Sequence, residues 1–162
     1  MAGRKKNPEG ALDASGLRFA IVVAEFNGDV TSRLLEGARE CFAKHGVPDS
    51  SVAVHRVPGA FELPLAAQML AGTGSCSAIV ALGCVIRGDT PHFEYVSSAA
   101  AEGLQRVALD TGVPVAFGVL TTEDRAQADA RAGGAVGNKG FDAAQTAIEM
   151  ALLARRLPHP QA

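Results

Sequence analysis

Strand-like and helix-like segments alternate along this chain, and that alternation restricts its fold more than any other feature. LRFAIVVA (residues 17–24) is a short run rich in β-branched residues, as a strand buried on both faces requires. After it, Leu34, Leu35, Ala38, Cys41 and Phe42 recur at helical spacing until HGVP stops the helix. SVAVHRV (51–57) predicts a second strand, and PGAFELPLAAQMLAG a turn and a second helix. SAIVALGCVI (77–86) predicts a third strand, with a long helix over about 90–110. VPVAFGVL (113–120) predicts a fourth strand, followed by a helix near 123–132. The Gly-rich stretch GGAVGNKG reads as a loop into a last amphipathic helix over 141–157.

Four such alternations, with no internal repeat, predict a parallel sheet covered by helices on both faces. Right-handed crossovers narrow this to an α/β three-layer αβα sandwich with a four-stranded parallel sheet, flavodoxin-like in topology. At 162 residues the chain is long enough for one domain with a substantial core. Residues 17–157 carry that domain, 1–16 read as a flexible lead-in and 158–162 as a short tail. With no Trp and one Tyr, the core is built from Ala, Val, Leu and Ile. A formal charge of −2 and the lack of a basic stripe argue against a nucleic-acid partner. No segment approaches the roughly 18 consecutive apolar residues of a membrane span. The basic cluster Arg4, Lys5, Lys6 is not followed by an apolar run and so does not read as a signal peptide. Cys41, Cys76 and Cys84 are odd in number and widely spaced, which fits neither a disulfide framework nor a zinc site and predicts reduced thiols in a cytoplasm.

In a sheet of this kind ligands bind beyond the carboxyl ends of the strands. Those ends read EFNG, PGAFE, RGDTPH and TTED, so Phe26, Phe61, Glu62, Asp89, Thr90 and His92 are expected along one edge. Thr90 followed by Pro91 is a helix start, with threonine as cap and proline at the first position. Such a start beside Gly88 serves either as a plain capped terminus or as an anion site for a phosphate or carboxylate. His92 lies in that first turn, where the helix dipole favours a neutral ring that accepts protons. A surface histidine without a role has the same spacing. Phe26 directly after a strand fits either stacking on a planar heterocycle or packing under the next helix. Phe61–Glu62 likewise reads as an aromatic wall with a hydroxyl acceptor, or as a hydrophobic entry with a carboxylate complementing a helix dipole. GGAVGNKG lacks the Walker spacing and follows a helix, which excludes a nucleotide triphosphate loop. The tripeptide Arg87-Gly88-Asp89 at a strand exit carries no adhesion signal.

These residues carry a resemblance. FN after the first strand, RVPGAFELP after the second, GCVIRGDTPHFEYV around the third, FGVLTTE at the fourth, then RAG, GNKG and AIEMA are similar to the lumazine synthase family. The likeness spans about 17–157 in the same order and at similar spacing. It implies a condensation without cofactor or metal, of 5-amino-6-(D-ribitylamino)uracil with 3,4-dihydroxy-2-butanone 4-phosphate, to give 6,7-dimethyl-8-ribityllumazine in riboflavin biosynthesis. It further implies His92 as the proton-transfer residue and Asp89, Thr90 and Arg131 at the phosphate. Phe26, Ala60, Phe61, Glu62, Cys84, Val85 and Ile86 would take the uracil and ribityl groups. Phe117 would pack on the heterocycle and Lys139 lie near both substrates. By resemblance the late residues come from a neighbouring subunit of a pentamer, twelve of which form a 60-subunit icosahedral shell in many relatives, and association with riboflavin synthase is implied too. Spacing alone makes Phe117 a core residue and Arg131 a solvated helix-end charge. The chain departs from many relatives after RAG, with Gly134 and Ala135 in place of a Thr-Lys pair and Val136 in place of His or Ala.

Three other readings compete with this one: a flavin- or lumazine-carrying module without catalysis, a purely structural shell protein, and a mononucleotide-binding flavodoxin-like domain. Retention of His92 and Arg131 argues against the first. Mixing both substrates and watching for lumazine fluorescence separates it from an enzyme, and inactive, empty particles would mark the second. For the third, a Ser/Thr/Gly-rich phosphate loop should follow the first strand, and EFNGD is not one.

Overall fold

A computed structural model of the chain describes residues 10–158. In chain order its elements are β1 (Phe19–Ala24), α1 (Gly28–Lys44), β2 (Val52–Val57), α2 (Leu63–Gly72), β3 (Ala78–Ile86), α3 (His92–Thr111), β4 (Val115–Thr122), α4 (Arg125–Arg131), β5 (Ala132–Gly134), β6 (Gly137–Asn138) and α5 (Lys139–Arg156). Short 3₁₀ turns at Asp49–Ser51 and Ala60–Glu62 precede β2 and α2. The main sheet has the order β2-β1-β3-β4, with every neighbouring pair parallel. This is the expected α/β three-layer sandwich.

The two central strands show why the layers form. In β1, Phe19, Ile21 and Val23 point into one core, while Ala20 and Val22 point into the other. β3 divides the same way, with Ala78, Val80, Leu82 and Cys84 on one side and Ile79 and Ala81 on the other. The first core lies under α1 and α5, where the Phe19 and Phe42 rings meet at 4.6 Å between centroids. The second lies under α2 and α3, around Leu63, Ala67, Ala100 and Leu104. β2, at the sheet edge, is only half-buried.

Three local readings change. β4 runs two residues later than expected, because Pro114 offers only its carbonyl (to the Ile79 N–H, 2.8 Å) and the ladder continues to Ile86↔Thr122. The shift carries Thr121 and Thr122 to the carboxyl edge. The helix after β3 begins at His92 with Pro91 in the cap position and no side-chain cap bond, so Thr90 is not the cap that its sequence position suggests. Proline's missing N–H falls just outside the helix. Finally, GGAVGNKG is not a plain loop. With the preceding Ala132 it forms the β5–β6 antiparallel hairpin, pairing Ala132 with Asn138 and Gly134 with Gly137 across a bulge.

The GNKG end of that hairpin is a joint between helices. The Asn138 side chain accepts from the Gly140 and Phe141 amides (2.8 and 3.2 Å), capping α5 two residues ahead of the predicted start. Its amide group donates to the Arg33 carbonyl at 2.9 Å, in space left by the absent side chain of Gly37. Gly140 sits so close to α1 that a Cβ there would collide with the Leu34 carbonyl. At the other end of α1, the Leu12 N–H donates to His45 Nδ1 at 2.9 Å, and Arg155 of α5 donates to the Ser15 carbonyl at 3.0 Å. The Arg4, Lys5, Lys6 cluster lies outside the described residues. Among the described residues no helix is long and apolar enough to cross a membrane.

The close approach at Gly140 makes a direct prediction. Gly140→Ala should destabilise the fold by about 3 kcal/mol, since backbone must move rather than a flexible side chain. A thermal midpoint equal to that of the wild type would show that α1 and α5 do not pack this closely.

Candidate active site

Two cavities flank the carboxyl edge of the sheet. The first, about 720 Å³, is lined from the exits of β1 and β3, the turn before α2 and the first turns of α3. Phe26 reaches it because the β1–β2 pairing continues past the strand ends. The Glu25 and Phe26 amides donate to the Val57 and Pro58 carbonyls at 2.8 and 3.0 Å. Asn27 then turns into the left-handed region (φ 55°) and donates its side-chain N–H to the Cys84 carbonyl at 2.9 Å. The Phe26 ring is left 71 % exposed over the cavity. An apolar ring held that open is available as a stacking surface.

Ala60, Phe61 and Glu62 line the same cavity from their 3₁₀ turn, with Phe61 also largely exposed. Cys84, Val85 and Ile86 supply the floor from the last residues of β3. Burial pushes the Cys84 thiol up to about 11, so at neutral pH it is an uncharged wall rather than a nucleophile. Thr90 and His92 close the cavity at the start of α3. Asp89 is exposed beside them and does not line it.

The second cavity, about 460 Å³, lies along β4 and the first turns of α5 and shares no lining residue with the first. It gathers Phe117, Arg131 and Lys139 together with Thr121, Thr122, Asp142 and Thr146. Phe117 is 48 % exposed, which overturns its reading as a core residue from spacing; β4 is the edge strand and leaves that side chain uncovered. Lys139 pairs with Asp142 at 3.3 Å, and Arg131 donates to the Gln127 carbonyl at 2.9 Å.

Arg131 ends the short helix α4, which is held at both ends. Asp124 caps it by accepting from the Gln127 N–H at 2.8 Å, and the Gln127 side chain accepts from the Glu123 N–H at 2.9 Å. Arg125 bridges Asp129 (3.0 Å) and Asp29, and Arg33 also bonds Asp129, tying α4 to the first turns of α1. The Arg125 and Arg33 guanidiniums hold the Asp129 carboxyl below the usual carboxylate range, and Arg125 does the same for Asp29.

The predicted residues are thus divided between the two cavities. Phe26, Ala60, Phe61, Glu62, Cys84, Val85, Ile86, Thr90 and His92 meet at one, and Phe117, Arg131 and Lys139 at the other. Sequence reasoning missed Tyr95 and Val96, although their three- and four-residue offsets from His92 put them on the same helix face. It also missed Asp142, three residues after Lys139 on α5. Arg87, just outside the first cavity, is taken up by Glu94 and Glu123. Among the described residues no group of three or more His, Cys, Asp or Glu is placed to hold a metal ion.

Comparison with known proteins bears on this arrangement. A family model described as 6,7-dimethyl-8-ribityllumazine synthase matches residues 16–155. A 6,7-dimethyl-8-ribityllumazine synthase of Chlorobium phaeobacteroides is 54 % identical over 151 residues, covering 93 % of this chain and 97 % of the relative. Proteins of the same name from Chlorobium limicola and Pelodictyon phaeoclathratiforme are 51 % and 52 % identical, over 93 % and 94 % of this chain and 97 % and 98 % of their own lengths.

The ion pairs holding α4 carry a pH signature. A carboxyl with a depressed folded-state pKa stabilises above the ordinary range near ~4 and loses that contribution as pH falls through the lowered value. Asp129→Asn should therefore lower the thermal midpoint at pH 7, and the difference from wild type should close as pH drops well below ~4. A gap that stays constant down to acid pH would show that Asp129 is not held in this way.

Proposed function

The chain belongs to the 6,7-dimethyl-8-ribityllumazine synthase family, and from that premise we propose how its residues perform the reaction. The enzyme is a transferase that condenses 5-amino-6-(D-ribitylamino)uracil with 3,4-dihydroxy-2-butanone 4-phosphate to give 6,7-dimethyl-8-ribityllumazine. The 5-amino group adds to the ketone and water leaves to give a Schiff base. Phosphate then departs, and ring closure expels a second water.

Each step moves a proton, and His92 is the group for that work. It lines the first cavity together with Phe26, whose exposed ring is available for stacking. The uracil stacks on Phe26, while Ala60, Phe61, Glu62 and the Cys84–Ile86 floor receive the ring edge and the ribityl hydroxyls. The phosphate lies at the start of α3, beside Asp89 and Thr90, where free helix amides and the dipole favour an anion. Its departure is eased by Arg131, whose guanidinium binds phosphate oxygens in pairs.

One observation carries the further step that the complete site is shared between two copies of the chain. The stacking and proton-transfer half has no free guanidinium or ammonium on its walls, and the nearby Arg87 is already engaged. The half that holds Arg131 and Lys139 opens separately along β4. A neighbour presenting its β4 cavity to the first cavity would join ring, imidazole and cations. Leu65 and Met69 on α2 and Leu109 on α3, all more than half exposed, are apolar surface of the kind a neighbour buries. A ring of five such copies, twelve rings forming a hollow shell, a cytoplasmic location and association with riboflavin synthase complete this reading.

Replacing His92 with Ala should lower turnover by about 10- to 100-fold or more while particle mass in solution is unchanged. Normal turnover would remove the proton-transfer role. Arg131→Ala should weaken the phosphorylated substrate by about 1.5–3 kcal/mol, or about 10- to 150-fold in KM, and leave the uracil substrate nearly unaffected. Should the uracil KM rise instead, Arg131 does not serve the phosphate.

A further inference from the structure

The helix that carries His92 starts without the usual fastening. No side chain caps α3, and the Glu94 N–H donates to the Pro91 carbonyl at 3.0 Å where its first turn begins. The preceding residues Gly88, Asp89 and Thr90 are exposed, and a Cβ added to Gly88 would meet nothing within 4 Å. A catalytic imidazole on an uncapped turn after an exposed tripeptide needs another restraint.

Arg87 provides one. Its Nη1 donates to Glu94 Oε1 at 2.6 Å and its Nε to Glu123 Oε2 at 2.7 Å. Its guanidinium carbon lies 4.4 Å from the centre of the Phe93 ring, and Phe93 lines the first cavity. Its backbone N–H donates to the Thr122 carbonyl at 2.9 Å, so the main chain is fixed to the end of β4. One side chain thus ties both residues after His92 to the edge of the sheet.

We propose that Arg87 is a positioning residue for the condensation, clasping the first turn of α3 so that His92 is held at the cavity rim. This rests on the proton-transfer role assigned to His92 above. The clasp is directional: two carboxylates on a planar fork and a ring against its face fix position and orientation together. Lysine offers a point charge without the fork or the flat face, so it cannot replace all three contacts. Arg87, Glu94 and Glu123 are each more than a third exposed, and exposed pairs add little net stability. The effect therefore falls on geometry at the reacting atoms, where small displacements are costly to rate.

The test compares Arg87→Gln and Arg87→Lys in the assembled enzyme, in the wild-type background and with His92→Ala, measuring kcat and both KM values. Arg87→Gln should lower kcat by about 5- to 20-fold and leave the uracil KM within about 2-fold. Arg87→Lys should recover less than half of the lost turnover. In the His92→Ala background Arg87→Gln should cost less than about 2-fold, because a residue that acts through His92 has nothing left to position. An unchanged kcat, full rescue by lysine, or the same loss in both backgrounds would each overturn the proposal. Wild-type turnover in His92→Ala alone would refute the reading of His92 itself, and is seen separately from any effect of Arg87.

Discussion

Burial of β3 on both faces is the constraint from which the rest of the molecule follows. Seven successive residues, Ala78 to Cys84, are buried, and alternate ones enter opposite cores. A strand with no polar face is stable only inside a sheet covered above and below. β1 and β4 pair with it in parallel, and the crossover helices pack on both sides. All strands then deliver their carboxyl ends to one edge, which is where the chain carries its aromatic, hydroxyl and imidazole groups.

Stability and geometry are assigned to different parts of the structure. The two cores are apolar, and their burial supplies the folding free energy. The charged clasps stand at the rim, where Arg87 grips Glu94 and Glu123, and Arg125 and Arg33 grip Asp29 and Asp129. Pairs this exposed add little net stability. What they hold are short or uncapped helix ends, and His92 and Arg131 stand on those ends.

Much of the fold was legible because burial writes itself in local pattern. The unbroken apolar runs of β1 and β3 and the helical spacing from Leu34 to Phe42 are enough to define layers and topology. Boundaries were less legible. Pro114 delayed β4, and Asn138 started α5 early by a cap concealed in a glycine-rich string. Thr90 showed the opposite error, since a good capping residue in the right place makes no cap bond. At the site, convergence of Phe26, Phe61, Glu62, Thr90 and His92 followed from strand ends alone. Arg131 and Lys139 came only from family resemblance, because a charge near a helix terminus looks the same whether it faces water or a cavity.

The amino-acid sequence by itself determined the layers, the parallel sheet, the edge at which chemistry is done and the family to which the chain belongs. Each of these is encoded in residues near one another along the chain, where backbone geometry imposes a short repeat. Only the tertiary structure decided that the candidate residues fall into two separate cavities, that Asn138 meets the Arg33 carbonyl, and that Arg87 spans from α3 to the end of β4. Those relations join groups distant in sequence, and whether they meet depends on packing through space, on which no local pattern bears.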